Sequence, residues 1–144
     1  NNNIVDIANK LYNVSKNYKK GLSESEIKLE ESLFEACDYL SELLAKNEID
    51  NNFLQEFCQK TGVDEIYITD SKGKTIFSNS KNGMGFIFSD DPNNQSYKFY
   101  KILNDPELRV AEKLETRDLD GKFFKFVGIS QKNARGIIQA GLGL

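Results

Sequence analysis

Histidine and tryptophan are absent from this sequence, and 144 residues hold only two Cys, two Pro and one Met. Without an imidazole, neither a Ser/His nor a Cys/His nucleophilic pair can be assembled, and zinc loses its usual nitrogen ligand. Cys37 and Cys58 lack metal-type spacing and fall at apolar helical positions, where a free thiol behaves as a small hydrophobe. They pair as a disulfide only if two helices fold back together. No apolar run approaches the roughly 20 residues of a membrane-spanning helix. No signal peptide is visible either, and the first residues already read as helix without an initiator Met, as expected of a piece excised from a longer protein. Missing membrane segments therefore say nothing about the parent. A formal net charge of −3 argues against a nucleic-acid partner.

The carboxylates lie in turns and on helix surfaces, and no Ser or Thr has a base beside it. Gly83 and Gly85 form no phosphate cradle, since no GxGxxG pattern, lysine-serine pair or following βα unit is present. The expectation is a protein that is not an enzyme and carries neither cofactor nor metal. At 39% hydrophobic and 28% charged residues, the chain reads as one globular domain spanning residues 1–144. Charge is uneven: Asn1 to Lys20 holds four Lys against one Asp, and Gly21 to Lys60 three Lys against ten acids. Solvated helix faces account for this as well as nearby anionic lipid does.

In the first third, Ile4, Leu11, Val14, Tyr18, Leu22, Leu29, Leu33, Ala36, Leu40 and Leu43 recur at helical spacing. No proline interrupts them, and Gly21 is the weak point. One helix over residues 1–46 would be roughly 65 Å long and would project, favouring a homodimer of parallel N-terminal helices. The competing arrangement is two helices, broken at Gly21, that pack on one core. A short second helix is expected over 49–61, stopped by Gly62.

Residues 65–144 carry the sheet. Glu65 to Thr69 and Thr75 to Ser78 read as strands one and two around the turn Asp70-Ser71-Lys72-Gly73, where Asp70 forms an Asx turn. Residues 79–103 form a flap: a Gly-rich loop bearing Met84, Phe86, Ile87 and Phe88, then a short helix from Gln95 to Leu103 with Tyr97, Phe99 and Tyr100. Strand three is expected from Val110 to Leu119, with Ala111, Lys113, Glu115, Arg117 and Leu119 alternating onto one face. Asp120-Gly121 is a hairpin signal. Strand four, Lys122 to Ser130, places Phe123, Lys125, Val127 and Ile129 opposite Phe124, Phe126 and Gly128. Strand five is Ile137 to Leu142. Helices followed by antiparallel strands give an α+β fold.

The stretches RDLDGKFFKFVGIS, Arg117 to Ser130, and RGIIQAGL, Arg135 to Leu142, resemble the last three strands of a Cache domain. Cache domains are the PAS-like extracytoplasmic sensor modules of bacterial chemoreceptors and sensor histidine kinases, and the likeness runs along the whole chain. The resemblance implies a five-stranded sheet of order 2-1-5-4-3. It also implies a membrane-anchored parent with this domain outside the cytoplasm, and a cavity between the sheet's outer face and the flap. That sets Phe86, Phe88, Tyr97, Phe99 and Tyr100 opposite Tyr67, Arg117 and Lys125, with a small organic acid or amino acid gripped by Arg117 and Lys125. The competing readings are cross-strand pairing for Arg117 and a snorkelling head for Lys125. The alternative for the whole chain is a cytoplasmic PAS-type dimerisation module that binds no ligand.

Overall fold

The apolar stripe of the first third is cut into two helices. The computed structural model describes residues 2–20, 25–113, 115–116 and 121–143. Within them, α1 runs Asn2–Lys19 and α2 runs Ser25–Ala45, and the two helices pack against each other. The expected projecting rod is therefore corrected to the helical pair. Both arrangements bury the same stripe, but the pair buries it within one chain: Ile7 and Leu11 of α1 share a core with Leu29, Leu33, Ala36, Cys37 and Leu40 of α2. Helix α2 is buried on two adjacent stripes because α1 covers one side and the sheet the other. Beyond its end, Asn47 takes the left-handed conformation at φ 58°, which Asn tolerates better than most residues.

Helix α3, Asn51–Thr61, has a cap at each end. Asp50 accepts a hydrogen bond from the Phe53 amide at 2.7 Å. Gly62, at φ 81°, donates its own amide to the Cys58 carbonyl at 2.9 Å. Leu54, Phe57 and Cys58 point into the core formed by α1 and α2.

The strands are β1 (Glu65–Thr69), β2 (Thr75–Ser78), β3 (Val110–Ala111), β4 (Glu115–Thr116), β5 (Phe123–Ser130) and β6 (Ile137–Gly143). They form one antiparallel sheet of order β2-β1-β6-β5-β3, with β4 also on β5. Taken together, β3 and β4 are the expected third strand, and the sheet has the 2-1-5-4-3 order of an α+β fold. The third strand is not continuous, however. Val110 and Ala111 lie opposite Gly128 and Val127, whereas Glu115 and Thr116 lie opposite Phe124 and Phe123. One extra residue separates the two pieces on this side, so the strict alternation expected from Ala111 to Glu115 does not hold.

Alternation does hold in β5 and β6, and it divides the protein into layers. Ile66, Ile68, Val127, Ile129, Ile138, Ala140 and Leu142 face the helices. Tyr67, Phe124, Phe126 and Ile137 face the other way, into a second cluster with Phe88, Phe99, Ile102 and Leu103. Those last residues belong to a roof running from β2 to β3, which contains the short helix α4 (Tyr97–Tyr100) and a 3-10 turn (Lys101–Asn104). The roof first runs beside β2, with Thr75 donating to the Phe86 carbonyl at 2.8 Å and Phe88 donating to that of Gly73 at 2.9 Å. It thus covers an edge that would otherwise be open to pairing with other chains.

Candidate functional site

The roof rests on the sheet through aromatic rings. Tyr67 meets Phe86, Phe88 and Phe126 edge-on at centroid distances of 5.7, 6.2 and 6.4 Å. Phe99 meets Phe88 at 6.5 Å and Phe126 at 6.4 Å, again edge-on, and Phe124 stacks on Phe126 at 5.3 Å. Edge-on and offset contacts are the favourable geometries for ring quadrupoles. The Tyr67 hydroxyl does not enter the ring layer's interior; it donates to Glu65 Oε1 at 2.6 Å.

Two glycines make this layer possible. A Cβ added to Gly141 would lie 2.3 Å from the Phe126 ring, and one added to Gly128 would lie 2.6 Å from the Phe99 ring. Both distances are far inside van der Waals contact, so each ring approaches bare backbone where a side chain would block it.

Of the expected site residues, Tyr67, Phe86, Phe88 and Phe99 come together in this layer. Tyr97 and Tyr100 stack on each other at 6.4 Å, half-buried at its rim. Lys101 lies over the Tyr97 ring at 5.8 Å. Arg117 lies outside the described residues. Lys125 is displaced from the expected site: it faces the helices, on the opposite side of the sheet from the rings. Its side chain is 0% exposed, its Nζ lies 3.1 Å from Glu26 Oε1, and it also donates to Glu30 Oε2. Burial pulls this ammonium's pKa down, but the hydrogen bonds to Glu30 and Glu26 outweigh it and hold the group above the ordinary lysine value. Charge matching, not snorkelling, is what admits a lysine to the middle of a covered strand.

Sequence reasoning left Phe124 and Phe126 out of the ring layer, although alternation already set them opposite Lys125. It also missed Glu112. This carboxylate is buried, and Lys98 of α4 approaches it at 3.4 Å. The Glu112 amide donates to the Phe126 carbonyl at 3.0 Å. Glu112 and Lys98 therefore form a pair of opposite charges beside the rings, one member on the sheet's edge and the other in the roof. No local signal marks Glu112, which is one of many acids in the sequence.

A concavity of about 440 Å³ opens on the helix side among Asp38, Ser41, Glu107, Arg109, Ile129 and Lys132. Arg109 is engaged there: it donates to both Asp38 carboxylate oxygens at 2.9 and 3.0 Å and lies 4.7 Å over the Phe34 ring. Both members of the pair are about half exposed, which limits its worth to roughly 1 kcal/mol. Cys37 and Cys58 are free thiols in the core, each pushed up to about 12, chiefly by burial.

No protein-family model matches the chain, and no curated protein matches it significantly. Among the described residues, no helix is long and apolar enough to cross a membrane.

Proposed function

We propose that this chain is a ligand-sensing domain of the PAS-like Cache kind. On this reading it is the extracytoplasmic part of a membrane-anchored bacterial chemoreceptor or sensor kinase. The observation that carries the reading is the division of labour across the sheet. Helices pack on one face; on the other, a roof of loop and short helix pairs with β2 at its start, takes a hydrogen bond from Arg135 at its end and sets its rings over glycines between. From Ser89 to Asn104 the roof's backbone bonds run within the stretch itself, so this part can shift while the pairing of Phe86 and Phe88 beside β2 holds, which suits a domain with two positions.

The ligand is a small organic acid or amino acid. Lys98 and Glu112 offer the charges for such a molecule: a ligand carboxylate replaces Glu112 at Lys98, and a ligand ammonium replaces Lys98 at Glu112. Arg117 belongs to the same proposal as a carboxylate grip. The rings touch one another across the layer, so binding among them displaces them, and only the difference in affinity between the two roof positions drives a signal. The receptor would work as a homodimer through its N-terminal helices. Helix α1 keeps Val5 and Tyr12 exposed one heptad apart, a pattern suited to a partner helix.

A thermal-shift screen of amino and carboxylic acids tests this reading. A binder should raise the melting temperature by mass action, and the rise should shrink in Lys98→Ala, Glu112→Ala and Arg117→Ala. A flat screen would remove the sensor reading. The alternative then stands: a PAS-type interaction module without a ligand, recognised by self-association in sedimentation and no response to small molecules.

A further inference from the structure

We propose that Lys125 couples the ring layer on one face of the sheet to the first turns of α2 on the other. The inference extends the sensor reading, but its basis is geometric and independent of any ligand. Strand β5 is central, paired with β6 from Phe124 to Ser130 and with β3 and β4 on its other side. Its successive residues serve opposite layers. Phe124 and Phe126 stack on each other within the ring layer. Lys125, between them, reaches Glu26 and Glu30 of α2, which lie 99 and 95 positions away in sequence.

Close-packed apolar neighbours also pass strain across this sheet, but they spread it over many contacts. The Lys125 contact is different in kind. A fully buried ammonium has no water to fall back on, so its two carboxylates must follow it or leave a charge unpaired. Those carboxylates sit on the N-terminal turns of α2. Tyr18 of α1 lies close enough for its ionisation to respond to Lys125, Glu26 and Glu30 after burial itself, so the same cluster adjoins both helices. A shift of the Phe124 and Phe126 rings that tilts β5 therefore moves the Lys125 head and, with it, the start of α2. The pair is a two-sided fastener whose value lies in coupling and not in net stability.

The test is a double-mutant cycle read by amide hydrogen exchange on the whole chain. Phe126→Leu perturbs the ring layer; Lys125→Met removes the charge while keeping the length of the side chain. In the Lys125 background, Phe126→Leu should speed exchange of the amides at 28–34 at least about threefold more than that of the α3 amides, within the range of couplings carried by packed networks. In the Lys125→Met background this excess should disappear. An excess of the same size in both backgrounds, or no excess over α3 in either, overturns the proposal. Should Phe126→Leu not fold, Phe99→Leu perturbs the same layer from the roof and is read identically. Because both perturbations are mutational, a failed ligand screen leaves this outcome unaffected, and a failed cycle leaves the ligand reading standing.

Discussion

Removing Glu26 and Glu30 together, each replaced by Ala, should destabilise the protein by about 3 kcal/mol or more. The magnitude follows from burial. The Lys125 side chain is 0% exposed, while Glu26 and Glu30 keep 49% and 28% of theirs in water. Without both carboxylates the ammonium is left in the core with no opposite charge. Glu30→Ala alone should cost less, about 1–3 kcal/mol, since Glu26 stays at 3.1 Å. Lys125→Met should fall within about 1 kcal/mol of the parent protein, because the glutamates return to solvent and an apolar chain fills the space. Urea unfolding followed by far-UV circular dichroism, with unchanged m-values, measures all three. The pH dependence supplies a second reading. Lys125 titrates above the ordinary lysine value when folded, so its contribution is complete below about pH 10.4, the unfolded value. It is lost as pH rises through the higher folded pKa. The parent protein should thus lose stability in strong alkali more steeply than Lys125→Met. A Lys125→Met protein as unstable as the double alanine variant would refute the reasoning, for it would mean that the pair itself, and not the avoidance of a lone charge, holds α2 to the sheet.

Gly141→Ala should cost about 1–3 kcal/mol through overpacking, and adding Phe126→Leu should recover part of that loss; strictly additive thermal melts would speak against rings lying on bare backbone. Asp50→Ala should lower stability by about 1 kcal/mol through loss of the α3 cap, with urea titration as the readout and no change as the contrary result. Ellman's reagent at pH 8 should leave both cysteines untouched in the native protein and label both in denaturant, since burial holds each thiol at about 12; rapid native labelling would contradict their burial.

The sheet was legible in the sequence because its signals are local. Gly62, the Asp70 turn and the alternation of β5 each act within a few residues, and the Asp70 carboxylate does accept from the Lys72 and Lys74 amides at 2.9 and 3.0 Å. The helical pair was not legible, because one stripe serves a straight rod and a folded-back pair equally well. The slip between Ala111 and Glu115 has no residue signature of its own, as bulges are set by what the two strands must each reach. Lys125 shows a different limit. Its period placed it among Val127 and Ile129, and assigning it to the ring layer overrode that period for the sake of a ligand charge. Its true partners lie almost a hundred residues earlier, beyond the reach of any spacing argument.

Strand β6 lies between β1 and β5, although it is the last of the described strands. The hairpin of β1 and β2 and the hairpin leading into β5 can each form early from nearby residues, yet neither touches the other until β6 arrives to bridge them. The seven residues from Ile137 to Gly143 are thus the keystone of the sheet, and whatever loosens them parts it into two separate ladders.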